Sequence, residues 1–131
     1  MMATIEKYCP AGLFDPSGYS QGIKVTGAQT ILFLAGQVAY DAAGGVAHKG
    51  DFTAQARAAF DAIRKLVEAA GGTLDSVVKI NTYVTDMRNR PHFRAVRDEF
   101  FGVKGPASTL IEVSALADPD YLIEIEAMAV V

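Results

Sequence analysis

Residues 52–84 read FTAQARAAFDAIRKLVEAAGGTLDSVVKINTYV, and the change of hydrophobic period inside this stretch decides the fold class. Phe52, Ala56, Phe60, Ile63, Val67 and Ala70 recur every three or four positions, with Arg57, Asp61, Arg64, Lys65 and Glu68 mostly on other sides, so the segment predicts an amphipathic helix. Gly71-Gly72 supplies its C-terminal stop. From Val77 to Val84 the period falls to two. Val78, Ile80, Thr82 and Val84 alternate with Val77, Lys79, Asn81 and Tyr83, which predicts a strand.

Working outward, a second helix is expected from about Pro91, a residue favoured in a first turn, with Phe93, Val96, Phe100 and Phe101 on one side and Gly102 and Gly105 ending it. Strands are expected at Ser108 to Val113 and Tyr121 to Val131, joined by a turn around Asp118-Pro119-Asp120. Towards the start, Ile5 to Tyr8 is β-like, and Cys9 to Gly18, with Pro10, Gly12, Pro16 and Gly18, reads as an ordered surface loop. Tyr19 to Val25 and Thr30 to Val38, separated around Gly27-Ala28, have the pattern of a hairpin, and Asp41 to Gly50 is a loop. The order is β-β-β-α-β-α-β-β, an α+β class with both helices packed on one face of a mixed sheet. The other face of so apolar a sheet must be covered, most simply by other subunits.

Nothing in the composition divides residues 1–131, which read as one continuous domain without linker, repeat or low-complexity segment. No apolar run is long enough to span a bilayer, and the opening residues lack an apolar export segment, so a cytoplasmic location is expected. A single cysteine, Cys9, excludes an intrachain disulfide; with His48 in a loop and His92 at a helix start, neither beside a ligand set, no metal is expected. Twelve Lys and Arg against fifteen Asp and Glu give a net charge of −3, which does not favour a nucleic-acid partner. Arg88, Arg90, Arg94 and Arg97 form the best basic patch, without an obvious aromatic stacking platform.

The last strand carries chemistry. Glu124 and Glu126 fall on one face, roughly 7 Å apart, opposite Ile123, Ile125 and Ala127. Buried without partners, either charge would cost several kcal/mol, so this face meets water, a polar cleft or cations. Two carboxylates decorating an exposed sheet face is the plain alternative.

Gly105-Pro106-Ala107-Ser108-Thr109-Leu110-Ile111-Glu112-Val113 and the nearby Ile123-Glu124-Ile125-Glu126-Ala127 resemble the C-terminal signature of the Rid (YjgF/YER057c/UK114) family. Gly18-Tyr19-Ser20-Gln21-Gly22, Ala35-Gly36-Gln37 and Gln55-Ala56-Arg57 leading into Val67-Glu68-Ala69-Ala70-Gly71 agree in order. The resemblance implies a chorismate-mutase-like subunit, a homotrimer, and ligand clefts between subunits that take a small molecule without a cofactor. It also implies hydrolysis of enamines or imines to a keto acid and ammonia, with Glu124 orienting or activating a water, and Tyr19 approaching the ligand.

Three positions depart from the deaminase pattern that the resemblance implies. Ser108 stands where an arginine clamps the substrate carboxylate, Leu110 where a cysteine stands, and Ala35, before Gly36, where a serine stands. Losing a bidentate guanidinium weakens carboxylate binding unless another cation takes over. Arg94, matching a cleft-facing asparagine, is the candidate replacement; the alternative is that Arg90, Arg94 and Arg97 form one solvated stripe beside Asp98 and Glu99. The expected function is a Rid-like hydrolase acting on an imine, enamine or related C–N bond. The rivals are a non-catalytic metabolite-binding or holdase trimer, and an amide or carbamate hydrolase using Ser108 or Thr109 as nucleophile.

Overall fold

The structure is a computed structural model and describes residues 3–131. The strands are β1 (Thr4–Tyr8), β2 (Gly22–Thr26), β3 (Ile31–Gln37), β4 (Val77–Val84), β5 (Ala107–Glu112) and β6 (Ile123–Val130), with helices α1 (Phe52–Ala69) and α2 (Arg90–Phe101). The order is the one the sequence predicts, with short 3-10 turns added at Leu74–Ser76 and Met87–Asn89. β3, β6, β4 and β5 lie side by side in that order; β5 runs parallel to β4 and the other two pairs are antiparallel. β1 and β2 form a separate antiparallel ribbon.

Helix α1 starts where Asp51 accepts a hydrogen bond from the Ala54 N–H at 3.0 Å, and ends as Gly71 takes φ of 91°, a conformation open to glycine. Its apolar stripe, with Ala56, Phe60, Ile63 and Val67 fully buried, packs with Phe93 and Val96 of α2 on Ile80, Ile123, Ile125 and Ala129 of the sheet. Phe60 is the centre of an aromatic cluster, with its ring 5.3 Å from Phe100, 5.7 Å from Phe101 and 6.0 Å from Phe93. Gln55 is the polar exception on this face. Its amide donates to the carbonyls of His48 (3.2 Å) and Asp120 (2.9 Å) and accepts from the Leu122 N–H (2.9 Å), so its burial leaves nothing unsatisfied.

Two expectations are corrected. β2 and β3 do not form a hairpin: the chain turns at Gly27 (φ 75°), but β2 pairs with β1 and β3 with β6. The β3–β6 pairing brings Leu32 and Leu34 against the core, whereas β2 sets Lys24 across from Glu6 in the ribbon. In β4, an irregularity between Val77 and Lys79 turns Val77, not Val78, into the core beside Ile80.

The opposite face of the sheet is open. Phe33 (76% exposed), Ile31 (55%) and Met128 (38%) stand on β3 and β6 without cover. No helix among the described residues is long and apolar enough to cross a membrane.

Candidate functional site

The cleft at the β5 edge is assembled from three stretches distant in sequence. The loop from Phe14 to Tyr19 lies across the C-terminal part of α2 and the start of β5, pinned by hydrogen bonds from the Gly18 N–H to the Val103 carbonyl and from the Ser20 hydroxyl to the Gly105 carbonyl (2.7 Å). Lys104 adds a third tie, donating to Asp15 (2.7 Å) and to the Pro16 carbonyl (3.1 Å). Between loop, helix and strand is a cavity of about 490 Å³. Tyr19, Arg94, Ser108 and Leu110, four of the residues singled out from sequence, line it, joined by Phe14, Phe93, Arg90 and Arg97.

Arg97 is where the structure departs most from the sequence reading. It is not part of a solvated stripe: its side chain is only 6% exposed, while Arg90 and Arg94 on the same helix are exposed. Its guanidinium lies 5.8 Å from the centroids of both Tyr19 and Phe93, and its Nε and Nη2 each meet Asp98 Oδ1 at 3.1 Å. Glu99, the other supposed neighbour of the stripe, instead takes a two-pronged ion pair from Arg57 on α1. Room for Arg97 is made by Gly18: a Cβ there would lie 2.1 Å from Arg97 Nη2, and the residue has φ of 93°.

The carboxylate predicted to act on water is elsewhere. Alternation along β6 sends Ile123 and Ile125 into the core and Glu124 and Glu126 to the open face, whereas Ser108 and Leu110 line the cleft beside α2. With β4 between β5 and β6, and Tyr83 paired to both Glu124 and Ile111, Ser108 is two strands (roughly 10 Å) across and three residues (roughly 10 Å) along from Glu124. A small ligand cannot touch both in one chain. Glu124 is grouped instead with Gly36, where a Cβ would come 2.0 Å from Glu124 Oε2, and with the exposed Ala35 at the irregular step of β3. The residues singled out from sequence therefore fall into two separate groups: Tyr19, Arg94, Ser108 and Leu110, with Arg97, in the cleft, and Ala35, Gly36 and Glu124 on the open sheet face.

Beside Glu124, Glu126 accepts hydrogen bonds from the Tyr83 hydroxyl (2.7 Å) and from Asn81 (3.3 Å). The Glu126 carboxylate, burial and the nearby Glu124 together raise the Tyr83 pKa above its ordinary value. Among the described residues that line the cleft there is no histidine and no carboxylate, so none of them is a base that would make Ser108 a nucleophile. Among the described residues, no three His, Cys, Asp or Glu side chains are grouped to hold a metal ion.

The Endoribonuclease L-PSP family profile matches residues 15–131. A RutC family protein of Pyrococcus horikoshii is 42% identical over 111 residues, covering 85% of both chains. Among solved structures, a conserved Rid family protein of Yersinia pestis superposes with a TM-score of 0.87 at 30% identity, over 97% of this chain and 98% of that one. RidA from the Antarctic bacterium Psychrobacter follows the same fold with a TM-score of 0.71 at 28% identity, over 95% and 94%. The order of strands and helices, the cleft beside α2 and these likenesses over nearly the full length converge, and the chain belongs to the Rid (YjgF/YER057c/UK114) family of Rid-like proteins that act on small molecules.

Proposed function

We propose that the protein is a cofactor-free hydrolase of a small, anionic imine or enamine, working in a site completed between two copies of the chain. The observation that carries this reading is the convergence of Tyr19, Ser108 and Arg94 on one cleft with the buried Arg97, which restores a guanidinium where Ser108 lacks one. Arg97 takes the clamp role that the sequence offered to Arg94, with Arg94 at the mouth. The ring of Tyr19 and the apolar side chains of Phe93 and Leu110 exclude water around the bound anion, which strengthens each charge-assisted contact.

In this reading Glu124 comes from a neighbouring subunit. The open sheet face bearing it also carries Phe33, Ile31 and Met128, apolar surface that association would cover. A homotrimer is the assembly proposed, seating the Glu124 half-site of one subunit against the arginine half-site of the next. There Glu124 takes a proton from water as the water oxygen adds to the imine carbon, and passes it to the nitrogen; the carbinolamine then collapses, its hydroxyl becoming the carbonyl as the C–N bond breaks, and ammonia leaves a keto acid. Tyr83 and Asn81 hold Glu126, leaving Glu124 as the carboxylate of the pair without a hydrogen-bonded side-chain partner among the described residues.

The test generates imino acids in situ with an amino-acid oxidase and follows their loss against the uncatalysed rate. Wild type accelerates it, and Glu124→Ala removes the acceleration while still binding keto acid. An inert wild type sinks the hydrolase reading; if such an inert protein gained activity on Ser108→Arg, the scaffold would be competent and its natural ligand of another kind.

A further inference from the structure

Helix α2 presents three guanidiniums to the cleft, from Arg90, Arg94 and Arg97, and no carboxylate lines it. Their circumstances differ. Arg97 is buried, and both nitrogens it turns to Asp98 meet the same oxygen. Arg90 and Arg94 are exposed and enter none of the ion pairs among the described residues, although each of the other four arginines is paired, Arg57 with Glu99, Arg64 with Asp61 and Glu68, Arg88 with Asp86 and Arg97 with Asp98. Two adjacent like charges left without partners on one helix face repel one another and destabilise the helix, which an anion between them reverses.

We infer that the cleft is built for a dicarboxylate, one carboxylate held by Arg97 beside Tyr19 and the second by Arg94 at the mouth, so that the preferred imine derives from an acidic amino acid. The inference rests on the proposed reading of this cleft as the ligand site and names its substrate class. Arg94 and Arg97 are one helical step apart on the same face, about 4.5 Å along the axis, a separation that two carboxylates on a short aliphatic spacer can match. Phe93 of α2 and Leu110 of β5 line the same cavity, apolar surface suited to that spacer. Ser108, a small neutral residue at the strand, leaves room for the longer molecule in a cavity of about 490 Å³. A ligand with one carboxylate would satisfy Arg97 and leave Arg94 without a counter-charge.

The reaction is unchanged in form: water adds across the C=N bond, ammonia leaves, and the 2-oxo dicarboxylic acid remains. Such imines arise wherever an acidic amino acid is oxidised at its α-carbon, so a reaction of that class must supply the substrate.

Binding is tested apart from turnover, by titration calorimetry of the full chain with 2-oxoglutarate and with 2-oxobutyrate at an ionic strength of about 0.15 M, where distant surface charges are screened. 2-Oxoglutarate is expected to bind at least about tenfold more tightly. Arg94→Ala is expected to erase that preference and Arg97→Ala to weaken both ligands, whereas Arg88→Ala, whose guanidinium Asp86 holds outside the cleft, keeps it. Equal affinity for the two acids, no binding of either, or a preference that persists in Arg94→Ala overturns the inference. Dicarboxylate preference in a protein that hydrolyses no imine upholds the ligand class and removes the hydrolase reading; hydrolysis without the preference does the reverse.

Discussion

The cleft beside α2 and the open face of the sheet are opposites in charge and in cover. The cleft gathers three arginines and no acid, and its deepest cation is enclosed by a loop and two aromatic rings. The open face holds Glu124 and Glu126 side by side, with Phe33 and Met128 projecting from neighbouring strands. Each region lacks what the other has. The cation half has guanidiniums for an anion but no carboxylate or histidine among the described residues that line it; the carboxylate half has Glu124 and Glu126 but no guanidinium beside them. On the proposed reading, a division of this kind makes the unit of function larger than one chain.

The sharpest way to break the comparison is to damage the halves separately. Glu124→Gln and Arg97→Ala are each expected to lower imine hydrolysis by at least about a hundredfold, the lower end of what a general base contributes. Co-refolded mixtures of the two variants should regain a fraction of wild-type rate, because some interfaces unite two intact halves. Mixtures as inert as their parents would place both groups in one chain's chemistry and end the two-half account.

Phe33→Asp attacks the open face without touching the cleft. Sedimentation velocity is expected to show dissociated chains with native circular dichroism, and activity should fall with assembly while keto-acid binding falls less. If the variant stays associated, the face of Phe33 is not what holds copies together.

Gly18→Ala addresses the cleft alone. The added methyl collides with Arg97 and must sit at φ of 93°, so the loop has to shift; about 1–2 kcal/mol of stability and about tenfold of keto-acid affinity are the expected losses, read by denaturant melts and calorimetry. Wild-type affinity in this variant would mean that the position of Arg97 does not matter to binding.

The smallest effect is in alkali. Because the folded-state pKa of Tyr83 is raised above its unfolded value, its contribution to stability is present below pH of about 10 and is lost as pH rises through the folded value. Stability measured against pH should therefore fall less steeply above pH of about 10 in Tyr83→Phe than in wild type.

Much of the fold is legible because periodicity is local. The repeats of α1, the alternation of β6 and the glycine stop at Gly71 need only neighbouring residues, and the structure reproduces them within a residue or two. Partners are not local. The turn signal at Gly27 is real, yet which strand β3 joins depends on the apolar face of β6, about a hundred positions downstream. The site divides in the same way. Glu124 and Glu126 share a face by alternation alone, but whether that face is the one beside Ser108 depends on β4 standing between β5 and β6. Arg97 was hidden for a related reason: arginines spaced by four and three look alike whether solvated or enclosed, and the loop that encloses Arg97 comes from the other end of the chain. The one local hint was Gly18 before Tyr19, a glycine whose missing side chain leaves space for something else.

Gln55 carries a consequence for the order in which the molecule forms. Two of its bonds bridge 65 and 67 positions of chain, to the Asp120 carbonyl and the Leu122 N–H. Helix α1 can gain its own turns early, but this amide finds its partners only after β6 has docked, since closing so long a segment costs entropy that the final packing must offset. The Leu122 amide proton then becomes a clock for completion: it should exchange with solvent until the last segment is in place and slowly thereafter, marking the moment when the chain ceases to be a helix beside loose strands.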